Sequence, residues 1–226
     1  MGVNGSQLFF YSKAMSKKQL AILTIVLILV IDQVLKIWIK TNFYLGEERK
    51  VLGNWFVLHF VENRGMAFGF EFAGRFGKVL LTLLRLVAAS AIMVYLLRLI
   101  KKGIPTGLVI SIAMIFAGAV GNIFDSAFYG LIFSNSYGHP AELFPAGGGY
   151  ETFLHGSVVD MLFFPIIKGS WPSWSPINAG EPFLFFRPVF NIADSSITVG
   201  ITIILIFYRK FFNEIDHKKT NESEEA

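Results

Sequence analysis

Four long apolar runs, each broken by isolated polar or charged residues, leave this chain few folds to choose from. They extend from Leu20 to Ile39, from Gly77 to Ile100, from Thr106 to about Phe128, and from Phe190 to Tyr208. A helix of about 20 such residues crosses the hydrocarbon of a bilayer, where only helices and closed barrels satisfy their own backbone. Composition agrees: 54% of the 226 residues are hydrophobic and only 16% are charged, a balance seldom found in a soluble domain. The first run is too long for the h-region of a cleaved signal peptide, and no small-residue cleavage site follows it. The expected fold is therefore an all-α membrane protein, a four-transmembrane-helix bundle.

The links between the runs differ in character. Gly103-Ile104-Pro105 makes a tight turn between the second and third spans, with Pro105 suited to start a helix. The segment from Thr41 to Phe76 is polar and aromatic. Within it Trp55 to Val61 is rich in aromatic and β-branched residues, which predicts a strand in a small extracytoplasmic sheet. Tyr129 to Pro188 reads as a long extracytoplasmic loop whose Gly, Pro, Trp and Phe content argues against disorder. Lysines and arginines crowd the N-terminus, the turn around Lys101 and Lys102, and the C-terminus after Tyr208. The positive-inside rule then puts both termini in the cytoplasm and both long links outside. The domain plan is a cytoplasmic segment over 1–19, a single membrane-embedded domain over 20–208, and a cytoplasmic tail over 209–226. Met15, followed by Lys17 and Lys18, is a second candidate start.

Many chemistries drop out. There is no cysteine, which removes disulfides, thiolate metal sites and a cysteine nucleophile. His59, His139, His155 and His217 are scattered and form no H-E-x-x-H pattern. No G-x-S-x-G elbow occurs. Gly147-Gly148-Gly149 lacks the Lys-Ser/Thr of a P-loop, and Lys168 is the one lysine near an outer pocket in sequence. No basic block suits nucleic acid. No metal or other cofactor is expected.

What remains is a set of polar residues in apolar surroundings. Asp32 and Lys36 lie at i,i+4 in the first span, where an intrahelical pair lowers the cost of insertion. Gly118, Asn122 and Asp125 fall on one face of the third span. Asp194 opens the fourth span with Asn191 and Thr198 on its face. Asp160 sits between Val158-Val159 and Met161-Leu162-Phe163-Phe164. Two carboxylates meeting in a partly desolvated pocket cannot easily both ionise, so they share a proton, as acid–base hydrolysis requires. The structural alternative is that Asp160 bonds a loop and Asp194 answers the helix dipole. Spacing by itself leaves both open.

Taken in order, these pieces resemble a known family. They are Asp32 with Lys36; Asn63-Arg64-Gly65-Met66-Ala67-Phe68; Gly118-Ala119-Val120-Gly121-Asn122-Ile123-Phe124-Asp125; Val158-Val159-Asp160; and Phe190-Asn191-Ile192-Ala193-Asp194-Ser195. The chain is similar over about residues 20–208 to the lipoprotein signal peptidases (signal peptidase II), aspartyl peptidases of the bacterial inner membrane. The resemblance implies cleavage of a prolipoprotein just before a cysteine bearing a diacylglyceryl group, with membrane lipid as the surrounding partner. It implies Asp160 and Asp194 as the catalytic dyad at the extracytoplasmic face. Asn63, Gly65, Asn122, Asp125 and Asn191 would line the substrate pocket, and Asp32 and Lys36 would be structural. Two departures stand out. The family's arginine after the third-span aspartate is replaced by Ser126, which makes Arg64 or Arg187 the expected substitute cation for Asp125. Long insertions also occupy 129–157 and 163–188.

Two other classes of function compete with this one. A transporter or lipid-binding protein would use Asp194 and Asp125 as an ion relay, but would spread its charges through mid-membrane. A scaffold would dock partners on the long loop. Deleting most of Tyr129–Ser157 separates enzyme from scaffold, because an enzyme with a peripheral lid keeps some hydrolysis.

Overall fold

A computed structural model describes residues 15–65, 74–176, 178–185, 187–209 and 211. Met66-Ala67-Phe68 of the second motif, the first fourteen residues and the tail beyond Phe211 lie outside the described residues. The chain runs α1 (Lys17–Asn42), β1 (Glu48–Leu52), β2 (Phe56–Asn63), α2 (Gly74–Lys101), α3 (Thr106–Phe124), α4 (Gly130–Ile132), β3 (Val158–Phe163), β4 (Ile167–Ser170), β5 (Pro182–Phe185), β6 (Val189–Phe190) and α5 (Ile192–Ile203). A π-helical turn, Asp125–Tyr129, joins α3 to α4, and a second, Ile204–Tyr208, extends α5.

Among the described residues, three helical stretches are long and apolar enough to cross a membrane: Lys17–Asn42, Phe76–Lys101 and Thr106–Ile132. Ile192–Tyr208 is apolar but shorter. α1 begins with a capping box: the Gln19 N–H donates to Ser16 Oγ at 3.2 Å, and the Ser16 N–H donates to Gln19 Oε1 at 2.9 Å. These bonds satisfy donors that the helix cannot. Its outward face, including Ile22, Val26, Val30 and Val34, is exposed, the surface a lipid-facing helix presents.

α3 is the central helix and packs against α1, α2 and α5. Its contact with α5 depends on small residues. A Cβ on Gly118 would run into the Ala193 carbonyl and come within 2.6 Å of both Ile197 Cγ1 and Ser196 Oγ. One on Gly121 would sit 2.8 Å from Asp32 Oδ2. Gly118→Leu is therefore expected to push α5 off α3, at a cost of about 1–3 kcal/mol or more because backbone is struck. A thermal melt in detergent should fall by several degrees and cleavage should fall with it; an unchanged melt would show that the contact is looser than described.

The sheet differs from the sequence expectation. It has four antiparallel strands in the order β1-β2-β3-β6, so half of it comes from the segment after α3. That segment is not one long loop: it also holds the β4–β5 hairpin, and Tyr129 is helical. The reason is legible afterwards. Val158 to Phe163 is buried along nearly its whole length, so it shows no alternation to mark it as a strand. α5 also starts at Ile192, with Asn191 as its cap and Phe190 in β6.

Two apolar clusters bracket the molecule. One gathers Ala21, Leu96, Leu99, Leu108 and Ile112 at one end of the helices. The other joins Ile39, Phe43, Phe60, Tyr129, Val159 and Met161 under the sheet. A polar layer lies between them.

Candidate active site

The polar layer starts on α1. Lys36, wholly buried, sits 2.8 Å from Asp32 Oδ2, 2.8 Å from Asp125 Oδ2 and 3.0 Å from Asn122 Oδ1. The cation beside Asp125 is thus Lys36, and neither Arg64 nor Arg187, both exposed, forms that pair. Sequence spacing paired Lys36 with Asp32 alone; the second partner is on another helix. Asp32 has a further task, accepting the Ala193 N–H on Oδ1 at 2.9 Å, which satisfies one of the orphan donors at the start of α5. Asp125 is buried completely, and Gln33 Nε2 donates to its Oδ1 at 2.9 Å. Tyr129 in turn donates to Gln33 Oε1 at 3.1 Å. Gln33 and Tyr129 carried no sequence signal, since one amide and one phenol among apolar neighbours match no motif.

Two asparagines carry this order to the outer carboxylates. Asn122 Oδ1 accepts from Lys36, which fixes the amide so that Nδ2 donates to Asp194 Oδ1 at 2.7 Å. Asn191 Oδ1 accepts the Asp194 N–H at 2.8 Å, the side-chain cap of α5. That bond orients its amide as well, and Nδ2 donates to Asp160 Oδ1 at 2.7 Å and approaches Asn122 Oδ1 at 3.1 Å. One amide network therefore ties Asp160 to Asp194.

Asp160 reaches the network because the chain after α3 is folded back onto it. The widened π turn leaves the carbonyls of Ser126 and Ala127 free to accept the N–H groups of Gly156 (2.9 Å) and Leu154 (3.2 Å). β3 follows directly, its Val159 N–H donating to Asp125 Oδ2 at 3.3 Å and Asp160 pairing with Val61 of β2. Asn63 ends β2 and also hydrogen-bonds Asp160. Its Oδ1 accepts the Gly65 N–H at 2.8 Å, and Gly65 has a φ of 90°, a conformation that suits glycine.

Asp160 is 4% exposed, whereas Asp194 is half-buried. Burial and the neighbouring Asp194 push the Asp160 carboxyl up to about 7, against the charge of Lys36 and the amides of Asn191 and Asn63. A buried, proton-holding carboxyl beside a more open carboxylate is an arrangement suited to acid–base chemistry. The structure thus brings together Asp160, Asp194, Asn63, Asn122 and Asn191, while Asp125, Asp32 and Lys36 form the dry ion cluster behind them. Among the described residues, no group of three or more His, Cys, Asp or Glu side chains is arranged to hold a metal ion.

Comparison with known proteins points the same way. The chain is 49% identical over 213 residues to a lipoprotein signal peptidase of Porphyromonas gingivalis, covering 93% of this chain and 92% of that one. It is 40% identical over 184 residues to one from Amoebophilus asiaticus, covering 80% and 73%. Among solved structures, a bacterial membrane enzyme determined by the in meso method at 2.3 Å resolution shares the fold. Its TM-score is 0.55 at 23% identity, covering 84% of this chain and 87% of that one. A second such structure, at 1.9 Å resolution, gives 0.54 at 24% identity, covering 84% and 92%. The family model for signal peptidase (SPase) II matches residues 24–210, and with a relative this similar over nine-tenths of its length the chain belongs to the signal peptidase II family of peptidases.

Proposed function

We propose that this protein removes the signal peptide from diacylglyceryl-modified prolipoproteins, cutting just before the lipidated cysteine, with Asp160 and Asp194 as the catalytic pair. The observation that carries the reading is the shared amide network, which holds two carboxyls from separate elements in one pocket, where burial and the nearness of Asp194 push the Asp160 carboxyl up to about 7.

In the proposed mechanism Asp160 donates its proton in a hydrogen bond to the scissile carbonyl oxygen. Asp194 takes a proton from a water, whose oxygen attacks the carbonyl carbon. As the tetrahedral intermediate collapses, one of its hydroxyls returns a proton to Asp160, the C–N bond breaks, and the cysteine nitrogen leaves with the proton that Asp194 took from water. Asn122 holds Asp194 Oδ1, so the second oxygen is the one turned to water. Asn191 holds Asp160 Oδ1 in the same way, and Asn63 bonds the same carboxyl, so its orientation is fixed from two elements. Lys36, Asp125 and Asp32 contribute by fixing Asn122 and the start of α5.

The membrane arrangement belongs to the same proposal. Four spans, about 20–39, 77–100, 106–128 and 190–208, form one domain over 20–208, with 1–19 and 209–226 cytoplasmic. Arg98, Lys101, Lys102 and Arg209 mark the cytoplasmic ends of α2 and α5. The dyad is then at the extracytoplasmic face of the inner membrane, within reach of a lipid-anchored substrate. The exposed apolar helix faces give the acyl chains a lipid-like path to it.

The test is a gel-shift cleavage assay with the purified protein and a precursor in two forms, with and without the diacylglyceryl group. Cleavage of the lipidated form alone is expected; a lipidated precursor left intact would sink the proposal. The pH dependence gives a separate expectation. The protonated form of Asp160 is lost as pH rises through about 7, so kcat/KM should fall about tenfold per pH unit above that value. A profile still flat at pH 9 would remove Asp160 as the acid.

A further inference from the structure

Among the described residues, one charge of α2 has no ion pair and no hydrogen bond. Arg85 stands in the interior of the helix, on one face with Lys78 and Thr82 at i,i+4,i+7, and Thr82 and Ala89 on that face are buried. Lys78 is bonded, its Nζ donating to the His155 carbonyl at 2.6 Å. Lys36 and Lys40, the buried lysines of α1, are both ion-paired. Arg85 is half-buried, yet it makes no ion pair within 4.0 Å and no hydrogen bond to any described residue. One turn before it, Leu81 lies against Gly65, whose N–H bonds Asn63, the residue that hydrogen-bonds Asp160, so this face of α2 meets the chain around the dyad. A guanidinium left unpaired inside an apolar span is costly, and such residues mark functional sites.

Its place fits the departure at Ser126. That hydroxyl is buried and donates to the Asn122 carbonyl at 3.0 Å, so α3 offers no cation after Asp125. Arg85 instead stands on the α2 face that meets the Gly65 turn and the chain leading into β3. Asp194 Oδ1 is already held by Asn122 and Asp160 Oδ1 by Asn191, and Arg85 bonds neither carboxyl.

We propose that Arg85 binds carbonyl oxygens of the bound precursor beside the dyad, a role that rests on the functional reading above. Guanidinium offers five N–H donors in a rigid fork and no acceptor, so its partner must be an oxygen acceptor. A precursor arriving from the bilayer brings two kinds: peptide carbonyls near the scissile bond, which lose their helical partners where the chain opens for cleavage, and ester carbonyls of the diacylglyceryl group. Either would bridge the gap between Arg85 and the dyad.

The test uses the full chain in detergent with Arg85→Gln and Arg85→Lys, assayed on ester-linked and ether-linked lipidated precursors. For Arg85→Gln, kcat/KM on the ester-linked precursor should drop on the order of 10- to 100-fold, carried mainly by KM, with thermal melt and pH profile unmoved. Arg85→Lys, with charge but no fork, should fall between. If ester carbonyls are the ligand, the wild type slows by the same factor on the ether-linked form and Arg85→Gln adds no further loss. If peptide carbonyls are the ligand, the wild type cuts both forms alike and Arg85→Gln is impaired on both. Three results would overturn the proposal: Arg85→Gln within twofold of wild type, a loss accompanied by a collapsed melt, or an unchanged KM with a displaced pH profile. A wild type that leaves the lipidated precursor uncut overturns the functional reading first, and this one with it.

Discussion

Asp160→Asn is expected to abolish cleavage, by at least a factor of about 10³, in a protein that is more stable than the wild type at pH 8. The two effects have one origin. Folding raises the Asp160 carboxyl from 3.8 to about 7 because burial and Asp194 disfavour its charge. The stability this group contributes is full below 3.8 and is lost as pH climbs through about 7, where the fold must accommodate a buried anion. Asparagine has the same shape and no charge, and it keeps an oxygen to accept from Asn191. Its melt should therefore gain on that of the wild type above pH 7 and match it near pH 4. Activity goes because an amide cannot give the scissile carbonyl oxygen an acid proton as the carboxyl does. Asp194→Asn should lose cleavage to a similar extent, since among the described residues Asp194 is the carboxyl tied to Asp160 by the amide network and its amide replacement takes no proton from water. Turnover retained in either variant on a diacylglyceryl-modified precursor would refute the two-carboxylate mechanism. A fall in the Asp160→Asn melt at pH 8 would refute the account of the buried charge.

The parts of this site differ in how far residue order reveals them, and the difference is physical. Asn191 and Asp194 are readable because they share one face at the start of an apolar run, where a first-turn carboxylate answers the helix dipole; that Asn191 is the cap is visible only in the fold. The Asp32–Lys36 contact was readable because i,i+4 neighbours share a helix face. Each of these depends on residues a few positions apart. Lys36 with Asp125, Lys36 with Asn122, and Asn191 with Asp160 are contacts between separate elements, and no local period encodes them. Asp160 was singled out by its odd polarity among valines and by the order of family motifs. That it rides on a strand paired to β2 was hidden, because both faces of β3 are covered. Ser126 shows the converse. Its departure from the family pattern was plain in the sequence and pointed to a missing cation, yet the candidates nearest in the motifs, Arg64 and Arg187, are exposed, and the ion-pairing cation came from α1.

Lys36→Met should be the most destabilising single change in the polar layer. The ammonium is wholly buried and lies within 3.0 Å of Asp32, Asp125 and Asn122. Removing it strands two carboxylates in apolar surroundings and leaves the Asn122 carbonyl without its donor. Breaking a buried ion pair in this way costs about 3–5 kcal/mol, a large part of the roughly 5–15 kcal/mol that holds a domain together. The melt in detergent should drop by roughly 6–20 °C, and accumulation in membranes should fall. Lys36→Met combined with Asp125→Asn separates charge from architecture. The double variant keeps only one stranded carboxylate and should recover a good part of the melt. Cleavage should stay low in it, because Asn122 is still free to turn its amide and release Asp194 Oδ1. Full recovery of cleavage along with stability would mean that the Asn122 amide needs no anchor. A single variant that melts like the wild type would mean that the ion cluster contributes nothing to holding α1, α3 and α5 together.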